Sequence, residues 1–536
     1  MPCKMKKSPL SNSKLFVQRS LENKIQSLMA AKHTLSQNLM GIEKESLRVS
    51  DDGSISQESH PKAYGSALTN PQITTDFCEA LIELVTPPFD GADKVLEDLG
   101  NTEHFVHHHL PKSQRFWPAS MPCVVRGETY IPIAQYGSSN RGKMKTAYRQ
   151  GLSNRYGSVM QTIAGIHFNY SFSGDFWQAY QELMTPEETG QCFIDNHYMC
   201  LTRNVLRRGW LIPYLFGASA SICKSFLKDY HQHKLEEFDE NTFYLPYATS
   251  LRMGDIGYQN SQEDAVGVKA NYNSLCHYTH SLQAAMQTSC TEYESIDLKK
   301  DGEYQQLNTN ILQIENEYYA SIRPKPKLNG IDKPLEALSK NGINYIELRS
   351  LDINPLLPLG IDKPQILFLE AFLLYCLLED SPAISTAEQF EIDNNDHMVA
   401  HQGRKPGLKL TKQGNEISLQ DWGRDILDKT ISVAALLSDK HEKAVQVISE
   451  RLSNADLTPS ATMLQMMKDD GDGFYQSINK ISLQSQKDYR QQKMNKASFA
   501  KLSQLAEDSL KQQVEIEHQD SQSFDEFIAE YFAVDG

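Results

Sequence analysis

The sequence predicts an α+β fold. Strand-like segments lie dispersed among long helical stretches, no connection repeats with the regular spacing of a doubly wound βαβ sheet, and no period of roughly 20–50 residues marks a repeat architecture. The 536 residues are 40% hydrophobic and include 21 Phe, 24 Tyr and 4 Trp, enough for a large core. No Gly/Ser-rich or Pro-rich linker separates the motifs, so residues 21–536 are expected to form one large unit.

Residues 1–20 are basic but lack the apolar core of a signal peptide, and read as a disordered leader. Residues 21–40 carry a helix-like pattern of Leu, Ile and Met. In GIEKESLRV the period of two puts Glu43 and Glu45 on one strand face with Leu47 and Val49, leaving Ile42 on the other. TTDFCEALIELV fits a helix: Asp76, Glu79 and Glu83 fall on one stripe, and Phe77, Leu81 and Val85 on an apolar stripe. Further strands are expected around 163–172, 244–251, 307–314 and 343–353, with helices over 193–208 and 271–287. Within them His167 and Asn169 share a face in AGIHFNYSF, as do Tyr345, Glu347, Arg349 and Leu351 in YIELRSLDI. The apolar run 366–378 is broken by Glu370 and too short for a hydrocarbon layer of roughly 30 Å. It reads as a buried helix with Asp362 as N-cap and Pro364 in the first turn. From about residue 365 the chain is mainly helical, and beyond about 380 it becomes polar, as expected of solvated helices packed around the sheet.

A net charge of −15 excludes a general nucleic-acid footprint, which demands a basic surface. Local Lys and Arg clusters fit a phosphorylated small molecule instead. Nine cysteines, odd in number and without CxxC spacing, do not suggest a secreted disulfide framework, and a reducing cytosol fits best. The run His107, His108, His109, beside Lys112, Gln114 and Arg115, reads as an exposed segment and not as a metal site. The acidic residues Glu43, Glu45, Asp76, Glu83 and Glu347 offer hard oxygen ligands without paired Cys or His, which suits Mg²⁺ or Mn²⁺ and not zinc. There is no Walker A or GxGxxG loop at these segments, which disfavours a P-loop kinase or a dinucleotide enzyme.

Seven distinctive segments occur in order: SALTNPQITTDFCEALIELVTP, WPASMPC, AQYGSSNRGKMKTAYRQGLSNRYGSVMQTIAGIHFNYSF, PYLFGASASIC, YLPYATSLRMGDIGY, LQIENEYYASIRPK and YIELRSLDINP. Together they resemble the glutamate–cysteine ligases of the gamma-proteobacterial type, which make γ-glutamylcysteine for glutathione synthesis. The resemblance spans about residues 41–358 and continues more weakly to the C-terminus. It implies a glutamine-synthetase-like fold, in which a curved, mainly antiparallel sheet surrounded by helices forms a funnel. It also implies ATP as co-substrate and Mg²⁺, with Mn²⁺ as a substitute, held by Glu43, Glu45, Asp76, Glu83, His167 and Glu347. Arg149, Arg252 and Arg349 lie in the matching motifs as stabilisers of phosphoryl and tetrahedral charge, their planar forks matching phosphate or carboxylate. Arg349 and Lys325 would face the ATP phosphates. Tyr148, Arg149, Leu152, Gln161, Arg252, Tyr258 and Tyr319 would surround the cysteine acceptor, while Tyr156 and Tyr318 are left to the core. The resemblance further implies a cytoplasmic monomer subject to feedback by glutathione. Two other readings stay open at this point: a carboxylate–amine ligase with another acceptor, and a catalytically silent protein that senses glutamate or nucleotide.

Overall fold

In the computed structural model, residues 20–184, 189–228, 233–257, 269–328 and 333–533 are described. Residues 1–19 of the leader and Tyr258 lie outside them. A strand twelve residues long, β1 (Leu39–Ser50), is the axis of a seven-stranded sheet. The other members are β2 (Ile73–Thr75), β3 (Leu81–Val85), β4 (Gln114–Trp117), β5 (Ile166–Ser171), β6 (Ile322–Lys325) and β7 (Tyr345–Leu351). Their order is β6-β7-β5-β1-β3-β2, with β4 paired to the far end of β1, and every pair is antiparallel. A register shift between Leu348 and Leu351 bends β7 where it runs along β5.

Period-two alternation gives the sheet two unlike faces. Ile42, Ile82, Leu84, Ile166, Phe168, Ile346 and Leu348 are buried on the back. Behind them pack α1 (Ala92–His109) and α4 (Lys363–Leu378), with α3 (Gly190–Arg208) beside β6. Helix α2 (Asn140–Tyr156) precedes β5 and walls the front. Helix α4 bears out the expected buried helix: Asp362 caps it by accepting from Gln365 N at 2.9 Å, and Pro364 sits in its first turn. Helix α5 (Thr386–Gln402) follows. Of the later helices, α6 (Phe474–Gln491) packs on β4 and α1, α7 (Lys496–Gln519) on α1, and α8 (Phe524–Phe532) on α2.

Several expectations are corrected. TTDFCEALIELV is not a helix but the hairpin β2–β3. The ladder Glu43↔Val85 to Leu47↔Leu81 gives its backbone better partners than a lone helix could, and tertiary pairing overrides the helical stripe. Glu79 therefore leaves the acidic cluster and accepts from the backbone N–H groups of His60 and Gln135. Residues 244–251 are not a strand: only Tyr244 closes the short strand Thr242–Tyr244, and the chain then turns into the 3-10 helix Leu251–Met253. Residues 307–314 are irregular, because Asn and Gln side chains take over the backbone partners. Leu307 N donates to Gln313 Oε1, Asn308 Nδ2 to Gln313 O and Asn310 N to Asn308 Oδ1.

The segment 21–40 divides into the helix Leu21–Leu28, a 3-10 turn Met29–Gln37 and the start of β1. The polar C-terminal region also contains a hairpin, Lys409–Lys412 with Asn415–Ser418, whose two-residue loop needs positive φ at Gln413 and Gly414 (52° and 76°). The histidine run is the last turn of α1, and His107 is buried, not exposed, stacked on Tyr489 at 4.1 Å. Among the described residues Cys123 and Cys223 form one disulfide across 100 residues, a single crosslink and not a framework. No helix among the described residues is long and apolar enough to cross a membrane.

Candidate active site

The front of the sheet floors a cavity of about 750 Å³, a size suited to small-molecule ligands. Strand register assembles its floor. Glu45 sits opposite Glu83, Glu43 opposite His167, and Glu347 opposite both Asn169 and Arg323, so one staircase of carboxylates and cations crosses four neighbouring strands and ends on β6. His167 Nδ1 lies 3.1 Å from Glu43 Oε2 and 3.8 Å from Glu347 Oε1, and its Nε2 lies 3.7 Å from Glu45 Oε1. Asn169 Nδ2 donates to Glu43 Oε1 at 2.9 Å, and Gly165 N to Glu45 Oε2 at 2.6 Å. Ligand atoms of Glu43, Glu83 and His167 all lie within 4.8 Å of one another. Asp76, at the start of the β2–β3 turn, adds its carboxylate to the same cavity.

These charges are not balanced evenly. Burial, followed by repulsion from Glu43, Asp76 and Glu45, pushes the Glu83 carboxyl well above its ordinary range. Burial and then Asp76 raise Glu45 to about 8. At the other end, burial acts against ionisation of Glu347, but Lys325 at 3.5 Å and Arg349 at 3.3 Å hold it well below the usual carboxylate range. Burial also opposes ionisation of Glu43, and the His167 hydrogen bond keeps it below the usual value. Burial, then Arg349, lowers His167, so its imidazole stays neutral and keeps a lone pair. The buried Oε2 of Glu347 has no hydrogen-bond partner. Crowded hard-oxygen donors, one neutral imidazole and an unpartnered carboxylate oxygen fit divalent cations of the Mg²⁺ or Mn²⁺ kind.

The cations come from three directions. Arg149 on α2 lies 4.6 Å from the Tyr136 ring centroid and donates Nε to Asp76 O and Nη1 to Lys145 O. Arg252 is buried and donates Nη2 to Arg349 O at 2.9 Å, with Asp352 at 3.8 Å. It passes so close over Gly165 that a Cβ there would meet Nη2 at 2.1 Å, and only glycine leaves it room. Arg349 and Lys325 rise from β7 and β6. Tyr148, Leu152, Gln161 and Tyr319 line the same cavity, and Tyr319 donates to Met253 Sδ at 3.3 Å. Every site residue expected from the sequence that lies among the described residues thus borders one cavity.

Others were missed. Lys145, Arg155, Tyr156, Glu317 and Arg323 also line it. Tyr156 is not only core filler, since its hydroxyl donates to Glu317 Oε1 at 3.0 Å, where Arg155 forms an ion pair at the same distance. Tyr318 is buried in the core. The signal was present: Lys145, Tyr148, Arg149, Leu152, Arg155 and Tyr156 follow the i, i+3, i+4, i+7 spacing of one helix face, and Arg323 alternates with Lys325. Burial, then Arg149, lowers the Lys145 ammonium to about 8.

The chain is similar to known enzymes along most of its length. The family described as glutamate-cysteine ligase matches residues 25–399. The glutamate–cysteine ligase of Pseudomonas putida KT2440 is 44% identical over 504 residues, covering 93% of this chain and 95% of its own. That of Shewanella halifaxensis is 42% identical over 509 residues, covering 94% and 97%. Among solved structures, a glutamate–cysteine ligase from Francisella tularensis in complex with AMP superposes with a TM-score of 0.87 at 36% identity, covering 92% of this chain and 97% of that one. A bifunctional glutathione synthetase from Pasteurella multocida shares the fold, with a TM-score of 0.71 at 22% identity over 90% of this chain and 57% of its own. The chain belongs to the glutamate–cysteine ligase family.

Proposed function

We propose that this cavity is where the chain, as an ATP-dependent glutamate–cysteine ligase, joins the γ-carboxylate of L-glutamate to the amine of L-cysteine, the first step of glutathione biosynthesis. The reading rests chiefly on the strand register, which brings Glu43, Glu45, Glu83, His167 and Glu347 together beside Arg349 on one face. Glu43, Glu45, Asp76, Glu83, His167 and Glu347 would hold Mg²⁺, with Mn²⁺ able to substitute; when bound, these ions neutralise phosphate charge.

Joining a carboxylate to an amine in water is uphill, so activation must come first. A γ-carboxylate oxygen of glutamate attacks the terminal phosphorus of ATP, the bond to the bridging oxygen breaks, and ADP leaves. The cysteine amine then attacks the acyl carbon, loses a proton, and phosphate departs with the former carboxylate oxygen. Arg349 and Lys325, already paired with Glu347, provide fixed cations for the ATP phosphates. Arg149 and Arg252 face the same cavity and offer donors for the charge of the acyl phosphate and of the tetrahedral adduct. Because both are tethered to backbone carbonyls, little reorganisation is needed as charge develops. Tyr148, Leu152, Gln161 and Tyr319 would contact the acceptor, joined by Tyr258. Tyrosine can pack on a small side chain and still donate a hydrogen bond.

Residues 21–536 would act as one catalytic unit, a cytoplasmic monomer, with glutathione as a feedback ligand of the substrate site. Glutamate labelled with ¹⁸O at the γ-carboxylate tests the route: in the presence of cysteine, ATP and Mg²⁺, label should appear in inorganic phosphate alongside γ-glutamylcysteine. Amide product without label in phosphate would refute the acyl phosphate.

A further inference from the structure

Away from the carboxylate staircase, a second group of ligating side chains converges where the segment after Leu251–Met253 meets α5. His397 and His401 lie one helical turn apart, with ring centroids 4.3 Å from each other. His401 Nε2 lies 2.9 Å from Asp255 Oδ1. One ligand atom from each of Asp255, His397 and His401 lies within 4.8 Å of the other two. An ordinary ion pair between Asp255 and His401 would not require His397 to face the same point. Two imidazoles at i, i+4 and a carboxylate from a second element are instead the donor number and spacing that a transition metal needs.

The surroundings hold this geometry. Thr249 N and Ser250 N both donate to Ala400 O, at 2.9 and 3.2 Å, and Thr249 Oγ1 donates to Val399 O at 2.9 Å. The segment is therefore tied to the last turns of α5 just before it delivers Asp255. Gly254 leaves space for the ring, because a Cβ at that position would come within 2.6 Å of His401 Nε2. His401 is nearly enclosed, with its side chain 10% exposed, whereas Asp255 is 51% exposed and leaves an open side where ions and water can enter.

We propose that Asp255, His397 and His401 form a binding site for a divalent transition metal of the zinc type, with water completing the coordination. Its nitrogen-rich donors differ from the oxygen-rich set of the catalytic cavity, so the two sites select different ions. Asp255 borders the catalytic cavity and follows Arg252 by three residues. A metal here would pin the wall that carries Arg252 to α5, steadying the cavity without joining the reaction.

The test is calorimetric titration of Zn²⁺ into the full-length protein held in excess Mg²⁺, with thermal unfolding recorded in parallel. The wild-type chain should bind one zinc, and zinc should raise its unfolding temperature. His397→Ala, an exposed position outside the catalytic cavity, should weaken that binding by roughly tenfold or more and abolish the thermal shift, while ligase turnover without zinc stays unchanged. His401→Gln should behave alike, and Glu43→Gln should retain the zinc site. Equal zinc affinity in wild type and His397→Ala, no zinc bound by the wild type, or loss of the site in Glu43→Gln would each overturn the proposal.

Discussion

The two faces of β1 bury charge to a similar depth and use it in opposite ways. On the back, Lys44 and Arg48 are 5% and 0% exposed; on the front, Glu45 is 7% exposed. Burial does not distinguish them, but partners do. Lys44 meets Glu103 in a buried ion pair, and Arg48 donates to Gln114 Oε1 and to the carbonyls of Glu58, Ser59 and Glu79. On the front, carboxylate faces carboxylate, and Glu45 and Glu83 are raised by burial and by one another's neighbours. Matched buried charge holds the fold together, while crowded like charge signals an arrangement kept for a ligand.

If that contrast is right, breaking the two faces should damage different properties. The largest effect is expected on the back. Lys44→Ala strands the Glu103 carboxylate in the core and should cost about 3–5 kcal/mol of stability. Molecules that still fold should keep the wild-type turnover per folded enzyme. Chemical denaturation and active-site titration together check this, and a stable but inactive variant would mean that Lys44 serves the chemistry.

On the front, Glu347→Gln or Glu43→Gln should leave the fold intact and lower ligase turnover by about 10²–10³-fold, roughly 3–4 kcal/mol of transition-state stabilisation. A neutral amide matches the shape of the carboxylate but cannot balance cation and phosphate charge. Near-normal turnover of both variants at limiting Mg²⁺, with unchanged circular dichroism, would remove these residues from the site.

Acid should reveal the back face again. Burial, then Lys44, depresses His107 to about 3; burial, then Arg48, depresses His60 to about 4. Both bases have lowered folded-state values, so the unfolded chain binds protons first as the pH falls below about 6.5. Their contribution is fully present above that pH and is lost on acidification toward the folded values, at up to about 1.4 kcal/mol per pH unit for each group. Urea unfolding from pH 7 to 4 should show this slope, and His107→Gln should flatten it. An unchanged slope would deny that His107 is buried uncharged.

How much of this was legible depended on whether a residue's partner lay nearby in sequence. Glu43 with Glu45, His167 with Asn169 and Glu347 with Arg349 obey strand alternation within one segment, and the structure keeps each pair on one face. Asp362 and Pro364 likewise mark a helix start locally. By contrast, 73–85 carries a helical stripe and a strand pattern at once, and only the ladder to β1 decides between them. His107 looked exposed because its neighbours in sequence are polar, but Tyr489, nearly four hundred residues later, covers it. The stripe from Lys145 to Tyr156 was missed in part because it is basic and aromatic: amphipathicity is sought as an apolar face, and this helix turns a polar face inward toward a cavity.

The smallest predicted effect tests where in this cavity the proposed acceptor site lies. Gln161 is buried and lines the same cavity as Tyr148, Leu152 and Tyr156, carrying no charge of its own. Truncating it removes a neutral hydrogen-bonding group, a change of about 1 kcal/mol and far less than loss of a charge on the sheet. Gln161→Ala should therefore raise the KM for cysteine about fivefold, with the KM for glutamate and kcat close to wild type. If the KM for glutamate rises while that for cysteine holds, Gln161 belongs to the glutamate subsite and the proposed acceptor placement falls.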